Sequence, residues 1–272
     1  MFQKYYLNRF IHLMFCTAGL IYFTYKSAVI LPDWIYIGII SIGTLVYYNL
    51  HRIITSSKRA GTQILLKNPS VFIYPAVLIL LFLISVLHFT DIQYFIWISL
   101  ASLISFLYLY PISSEKFNLR DVPYIKTGLI ALVFTIVTMV IPLLGKGFES
   151  FEILLLSISR LFFISTLCLI FDIGDIPDDR TKGLKTLPIT LGPVRTVFLA
   201  LFLLALSFMI EAYSTYNFII DVKGMFALAV TYGITALLVL KANPVRSDTY
   251  FLFITDGMML LPAIVYTILV LV

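Results

Sequence analysis

Long apolar segments, separated by short polar ones, recur along the whole 272-residue chain. Each is about 20 residues long, the length that an α-helix needs to cross the hydrocarbon core of a bilayer. The pattern predicts an all-α polytopic membrane protein, with residues 1–272 forming one membrane-embedded bundle. The nine predicted spanning helices are Phe10–Leu31, Trp34–Ile54, Val71–Phe89, Tyr94–Tyr110, Val122–Leu143, Phe151–Ile173, Val194–Ala212, Phe218–Leu240 and Phe251–Leu271.

The composition excludes an ordinary soluble domain. Hydrophobic residues make up 61% of the chain and charged residues 12%, and the mean hydropathy is +1.02. The net charge of +5 does not indicate nucleic-acid binding, because surplus Lys and Arg in a membrane protein usually mark cytoplasmic loops. The two cysteines, Cys16 and Cys168, lie in apolar segments and offer neither a disulfide framework nor a metal-binding spacing.

Basic residues are distributed unevenly between the two ends of the predicted helices. When nine spans are threaded through a bilayer, 15 of the 19 Lys and Arg residues fall on the side of the N-terminus. Because cytoplasmic loops are rich in Lys and Arg, we expect a cytoplasmic N-terminus and an external C-terminus. The expected location is an inner or plasma membrane.

The most polar part of the chain is Phe171–Gly192, FDIGDIPDDRTKGLKTLPITLG, here called the acidic stretch. Asp172, Asp175 and Asp179 stand at i, i+3 and i+7, which places them within roughly 60° on one helix face unless Pro177 breaks the helix first. Carboxylates on one face repel each other, and Mg²⁺ removes that repulsion while sharing its other positions with substrate phosphates. We therefore predict that these aspartates are catalytic metal ligands; a solvated acidic loop is the alternative.

Basic residues on the same predicted side of the membrane have the charge and the donors that bind phosphate oxygens. Six of them are candidates for binding a phosphorylated substrate: Lys116, Arg120, Lys126, Arg180, Lys182 and Lys185. Asp178 lies furthest from the predicted carboxylate face, so it is the acid least suited to be a metal ligand.

The segment after the second predicted helix is similar in outline to the acidic stretch. The two stretches can be aligned on a basic residue and a glycine, which are Lys58 and Gly61 in the first. In this alignment Leu50, Ile53 and Ser57 occupy the positions of the three aspartates. The first segment therefore has the same basic edge but no acids.

The acidic stretch resembles the second aspartate motif of the UbiA-type intramembrane prenyltransferases. That motif is DxxDxxxD followed by Gly, Thr-Leu-Pro and often Leu-Gly. The matching residues are Asp172, Asp175, Asp179, Gly183, Thr186, Leu187, Pro188, Leu191 and Gly192. The segment LYLYPISSEK, residues 107–116, is more weakly similar to the family's loop after the fourth helix.

The resemblance implies a helix bundle around a cavity that opens to lipid and holds a prenyl tail. It also implies that Asp172, Asp175 and Asp179 hold Mg²⁺ and the diphosphate of a polyprenyl donor at the cytoplasmic end. Loss of diphosphate would leave an allylic cation that an acceptor captures. The expected function is Mg²⁺-dependent prenyl transfer from a polyprenyl diphosphate to an acceptor that the sequence does not identify, with membrane lipid as the surroundings.

The family's first motif resembles NDxxDxxxD, whereas residues 49–57 of this chain, here called the first-motif segment, read NLHRIITSS. Three interpretations are open: direct diphosphate binding by polar and basic residues, an enzyme with one metal site, or an isoprenoid-binding protein without turnover. The candidates for direct binding are Asn49, His51, Arg52, Lys58 and Arg59. A transporter is a further class, suggested only by the number of helices and the internal similarity.

Two further charged residues stand inside or next to apolar segments. Arg160 lies deep within a predicted span, where a charge is usually functional, although it is also placed to pair with Glu211 near the outer end of the next span. Asp256, in the first turns of the last predicted helix, is a candidate for the site or an acid at the membrane interface.

Overall fold

A computed structural model of the chain describes residues 10–60, 69–89, 91–109, 125–181 and 183–272, without the side chains of residues 55–60 and 71. These residues form helices joined by short connections, and no β-strand occurs among them. The helices are α1 (Ile11–Ser27), α2 (Trp34–Ala60), α3 (Ser70–His88), α4 (Ile92–Leu109), α5 (Ile125–Leu143), α6 (Ser150–Gly174), α7 (Ile176–Thr181), α8 (Leu187–Leu191), α9 (Pro193–Tyr216), α10 (Val222–Lys241) and α11 (Tyr250–Leu271).

The long helices agree with the nine predicted apolar segments, so the all-α membrane fold is confirmed. Seven of them, α2, α4, α5, α6, α9, α10 and α11, are long and apolar enough to cross a membrane within the described residues. α3 contains a shorter apolar stretch, Phe72–His88, and α1 has 17 residues. α2 extends to Ala60, six residues beyond the predicted end at Ile54. The prediction followed the apolar segment, and the helix continues into the polar residues after it.

The helices form a ring in which sequence neighbours pack side by side and α11 returns to pack on α1. Small residues allow the closest approaches, as they do between many membrane helices. A Cβ added at Gly19 would lie 2.4 Å from Cδ1 of Leu260, so α1 and α11 meet through the glycine backbone. Gly174 plays the same part at the end of α6, where the ring of Phe251 fills the space.

α3 and α4 form the least buried side of the ring. Large apolar side chains such as Phe72, Leu87, Ile92 and Phe106 are exposed along them. Side chains of this kind are typical of a surface that faces lipid tails. We therefore expect α3 and α4 to face the lipid.

A π-helical turn, Ile136–Val140, interrupts α5. A wider turn of this kind leaves carbonyl groups for partners outside the helix, and in a membrane such partners must come from the protein. The hydroxyl of Tyr36 donates to the carbonyl of Val137 at 2.7 Å, and Thr24 Oγ1 donates to the carbonyl of Thr138 at 2.7 Å. Helices α1 and α2 are thereby hydrogen-bonded to the π-helical turn of α5.

A buried polar layer joins α1, α5, α6 and α9. The guanidinium of Arg160 donates to Thr24 Oγ1 at 3.1 Å and to Thr138 Oγ1 at 3.3 Å. Next to it on α6, Ser159 Oγ donates to the buried carboxylate of Glu211 at 2.6 Å. Arg160 is thus buried and hydrogen-bonded to two neighbouring helices. This arrangement favours a structural role for the residue over a functional one.

We predict that Arg160→Leu lowers the free energy of unfolding by about 3–5 kcal/mol, because Glu211 would stay buried without its nearby cation. The double variant Arg160→Leu/Glu211→Leu should recover a large part of this loss, since both charges are then absent. Denaturant unfolding of the detergent-solubilised chain measures both. Lys146→Leu, which removes an exposed cation from the α5–α6 connection, is the control. Equal stability of Arg160→Leu and this control would contradict the account.

Candidate functional site

Three carboxylates of the acidic stretch meet at the C-terminal end of α6. One oxygen from each of Asp172, Asp175 and Asp179 lies within 4.8 Å of the others, and we call this group the carboxylate cluster. Asp172 and Asp179 are 3% and 1% exposed, whereas Asp175 faces outward. Asp178 is exposed and lies outside the cluster, in keeping with its predicted position off the carboxylate face.

The backbone keeps the three aspartates in nearly helical register across a break. Pro177 has no N–H to donate to the carbonyl of Ile173, so α6 cannot continue unchanged. α6 ends at Gly174, where the N–H of Asp175 donates to the carbonyls of Phe171 and Ile173, and the N–H of Asp179 donates to the carbonyl of Asp175 at 2.8 Å. The break therefore comes two residues before the proline, and α7 brings Asp179 back over α6.

α7 ends in the glycine turn that commonly terminates helices. Gly183 has φ of 68°, a conformation that glycine adopts without steric cost. Its N–H donates to the carbonyl of Arg180 at 3.1 Å, and the N–H of Leu184 donates to the carbonyl of Asp179 at 3.0 Å. The glycine of the sequence motif thus caps the helix that carries the third aspartate.

Lys126 of α5 lies among the three carboxylates. Its Nζ is 2.9 Å from Asp172 Oδ1, 3.0 Å from Asp175 Oδ2 and 3.7 Å from Asp179 Oδ2. From the sequence this lysine is a candidate for binding substrate phosphates, whereas in the structure it is paired with the acids. The contact depends on the packing of α5 against α6, which no sequence pattern indicates.

Thr127, which the sequence analysis did not single out, donates a short hydrogen bond from its hydroxyl to Asp172 Oδ2. The buried carboxylate therefore receives a hydroxyl donor and an ammonium from consecutive residues of α5. The one available signal was its position beside Lys126 at the start of a predicted helix.

A cavity of about 540 Å³ lies between α2, α3, α4 and α5, and its wall is mainly apolar. Its size is within the range of ligand-binding pockets in proteins. Leu129 and Ile130 line it one helical turn after Lys126, whereas none of the three aspartates is among its lining residues. The end of the cavity at Leu129 and Ile130 is therefore the one nearest to the carboxylate cluster, and we call it the polar end. Further lining residues include Gly43, Tyr47, Tyr48, Phe82, Tyr108 and Val137. We call it the α2–α5 cavity.

The first-motif segment contributes apolar and aromatic wall to this cavity. Leu50 is buried and lines it, where the family motif has an aspartate. His51 also lines it, with its ring centroid 6.0 Å from that of Tyr108. Asn49 donates its amide to the carbonyl of Leu45 at 2.8 Å, and Arg52 is exposed.

The remaining predicted substrate-binding residues fall into two groups. Arg180 and Lys185 are exposed on the acidic stretch. The other predicted residues lie outside the part of the chain, or the side chains, that the structure describes. They are Lys58, Arg59, Lys116, Arg120 and Lys182. Asp256 is half-buried and directly follows the π-helical turn Tyr250–Thr255 at the start of α11.

A model of the UbiA prenyltransferase family matches residues 65–257. The chain belongs to this family. Its seven long apolar helices and this membership make it an integral membrane protein. The matched residues begin after the first-motif segment, which is the part where the sequence departs from the family pattern. No curated protein matches the chain by sequence.

Solved structures of similar fold cover almost the whole chain. A UbiA homologue from Archaeoglobus fulgidus bound to GPP and Mg²⁺ has 15% identity and a TM-score of 0.64, with 98% of each chain covered. A digeranylgeranylglyceryl phosphate synthase has 18% identity and a TM-score of 0.63, with 96% of each chain covered. An Aeropyrum pernix UbiA homologue without ligand has 13% identity and a TM-score of 0.61, covering 97% and 98%. At these identities the likeness establishes the fold.

The carboxylate cluster fits a hard divalent cation. Carboxylate oxygens are preferred ligands of Mg²⁺, and the cluster brings three of them together. The side chain of Asp175 is exposed, so solvent reaches the cluster on that side. Among the described residues this is the one group of three or more potential ligands. Leu50, which lines the α2–α5 cavity from α2, offers no oxygen ligand there.

We predict that Thr127→Val lowers the free energy of unfolding by about 1–3 kcal/mol, because it leaves a buried acceptor on Asp172 without its donor. Thr267→Val is the matched control, since that hydroxyl donates only to the carbonyl of Ala263 in its own helix. Thermal or denaturant unfolding in detergent measures both. A loss no larger than that of the control would show that the bond to Asp172 contributes nothing.

Proposed function

We propose that the protein transfers a prenyl group from a prenyl diphosphate to an acceptor within the membrane, using Mg²⁺ held by Asp172, Asp175 and Asp179. The observation that carries this proposal is the carboxylate cluster, which Lys126 joins to α5 one helical turn before that helix lines an apolar cavity. A diphosphate head and a prenyl tail need these two environments side by side. The Archaeoglobus homologue of the same fold, bound to GPP and Mg²⁺, supports it.

The cavity wall suits the hydrocarbon part of such a donor. Apolar side chains from four helices exclude water from the tail and fix its direction. In the reaction, the bond between the allylic carbon and the diphosphate oxygen breaks, and diphosphate leaves with the bonding electrons. The carbon then forms a bond to the acceptor, which loses a proton. Aromatic faces of Tyr47, Tyr48 and Tyr108 in the wall would stabilise positive charge on the allylic group.

Mg²⁺, when bound, would neutralise charge on the diphosphate and so make it a better leaving group. The chain's own cations would add to this effect. His51 lines the cavity, and Arg52, Arg180 and Lys185 are exposed cations on the same part of the bundle that could donate to an anion at its polar end. Substrate contact is proposed for the full set of candidates: Asn49, His51, Arg52, Lys58, Arg59, Lys116, Arg120, Lys126, Arg180, Lys182 and Lys185.

The proposal includes an orientation. The carboxylate cluster would face the cytoplasm, with the N-terminus on the same side and the C-terminus outside, as the distribution of Lys and Arg predicts. Diphosphate donors would then reach the site from the cytoplasm, and their tails and the acceptor from the lipid.

A second candidate function is isoprenoid binding without turnover. It is favoured by Leu50 and Ile53, which stand at two aspartate positions of the family's first motif, and by Lys126 within the carboxylate cluster. Release of inorganic diphosphate from GPP by the purified chain, in the presence of a lipid extract that contains acceptors, distinguishes the two. Release supports the enzyme, and binding without release supports the alternative.

The direct test of the proposed site is calorimetric titration of the detergent-purified full chain with GPP, with and without Mg²⁺. The proposal expects binding that Mg²⁺ strengthens. Binding that ignores Mg²⁺ would favour direct contact between basic residues and the diphosphate. Absence of binding under both conditions would overturn the proposed function.

We predict that Asp175→Asn weakens Mg²⁺-dependent GPP binding by tenfold or more, on the order of one charge-assisted contact. Asp178→Asn should change it by less than about twofold, because that carboxylate lies outside the cluster. The two variants make the same chemical change three residues apart. Equal effects would remove the case for a metal site on one face.

We predict that Gly43→Leu weakens GPP binding by roughly tenfold, because the new side chain fills part of the α2–α5 cavity. A Cβ at this position meets only Leu81 Cδ1, at 3.9 Å, so the variant should fold normally. Gly38→Leu, on the same helix and with nothing within 4 Å of its Cβ, is the control. Inorganic diphosphate binding should be unchanged in both, and equal GPP affinities for the two variants would place the tail elsewhere.

A further inference from the structure

We infer that Lys126 is a tethered counter-ion that competes with the metal for the carboxylate cluster, and that an incoming diphosphate draws it away. The inference deepens the proposed function and rests on it for the identity of the diphosphate ligand. The competition itself rests on the geometry of Lys126 alone.

The ammonium of Lys126 fills the position between the three carboxylates. An ammonium has three N–H donors, and here an oxygen from each aspartate lies 2.9, 3.0 or 3.7 Å from Nζ. A Mg²⁺ ion bound to the same oxygens at about 2.0–2.1 Å would occupy the same space. The lysine and the metal therefore cannot share the cluster in this arrangement.

The surroundings explain why a cation is held there before any ligand arrives. Asp172 and Asp179 are almost fully buried, and burying charged carboxylates without a cation is costly. Asp172 also lies in the last turn of α6, where the helix dipole disfavours negative charge. Lys126, whose side chain is only 12% exposed, offsets both effects.

The same geometry shows how the lysine would leave. Its charge sits at the end of a flexible four-carbon stem, so the ammonium can move while the backbone of α5 stays in place. Thr127 keeps its bond to Asp172 Oδ2 and holds that carboxylate when the lysine turns away. A diphosphate at the polar end of the cavity would offer the displaced ammonium new anionic oxygens.

Metal and diphosphate binding are therefore coupled. Without an anion, the metal must separate Lys126 from the three carboxylates and so break these contacts, which makes metal binding weak. With the diphosphate present, the lysine has a second partner and the metal takes the carboxylates. By linkage, each ligand then raises the affinity for the other by the same factor.

The test is Mn²⁺ binding to the detergent-purified full chain, measured by electron paramagnetic resonance of the free ion. Lys126→Met should bind Mn²⁺ at least about tenfold more tightly than the natural chain without any anion, within the usual 5- to 150-fold range of coupling. Lys241→Met, which removes an exposed lysine at the end of α10, is the matched control and should bind like the natural chain. Equal affinities for all three would overturn the inference.

A second titration adds GPP at constant free Mn²⁺. It tests whether Lys126 leaves the carboxylates when a diphosphate binds or occupies the metal position permanently. The natural chain should gain Mn²⁺ affinity when GPP is added, and Lys126→Met should gain much less. A natural chain that binds no Mn²⁺ even with GPP would mean that the lysine never leaves, which also overturns the inference. If Lys126→Met does not fold, Lys126→Arg serves instead: its larger, fork-shaped cation should hold the carboxylates and reduce GPP-dependent Mn²⁺ binding several-fold.

The two proposals fail separately. Tighter Mn²⁺ binding by Lys126→Met without GPP binding to any variant would support the counter-ion and overturn the proposed function. Mg²⁺-dependent GPP binding, with no effect of Lys126→Met on Mn²⁺ affinity, would support the function and overturn the counter-ion.

Discussion

Three carboxylates meet at the C-terminal end of the membrane helix α6, and this concentration of negative charge governs the rest of the site. Two of them are buried, and the negative end of the α6 dipole points toward them, so the cluster needs a cation. The chain supplies one from the neighbouring helix, as Lys126 on α5. This pairing joins α5 to α6 where the α2–α5 cavity begins, and it therefore places the charged end of the site beside the apolar one.

The site is asymmetric. The carboxylate cluster lies on the α5 and α6 side, whereas the first-motif segment on α2 presents Leu50 and His51 to the cavity. The UbiA family model matches the chain from residue 65 onward and so includes the cluster but not that segment. A diphosphate between the two walls would meet one metal site and a histidine, together with whichever basic side chains turn inward. Under the proposed function, the lack of acids in the first-motif segment leaves the carboxylate cluster as the metal site.

The sequence predicts the helices and the carboxylate face because both follow from local periodicity. Apolar length alone gives the long helices, and the spacing of Asp172, Asp175 and Asp179 survives the break at Asp175 because the helical hydrogen bonds resume across it. The partner of the cluster is different. Lys126 is one of several basic candidates for phosphate binding in the sequence, and only the packing of α5 on α6 places it among the acids. The π-helical turn of α5, and the threonine hydroxyls that hold Arg160, likewise depend on contacts between distant helices.

The most direct measurement is a crystal structure of the full chain with Mn²⁺ and a non-hydrolysable thiolo analogue of GPP, in which anomalous scattering locates the metal. The account predicts a Mn²⁺ peak among Asp172, Asp175 and Asp179, the analogue's tail in the α2–α5 cavity, and Lys126 turned toward the diphosphate. A peak remote from these aspartates, or a diphosphate bound while Lys126 keeps its present contacts, would contradict it.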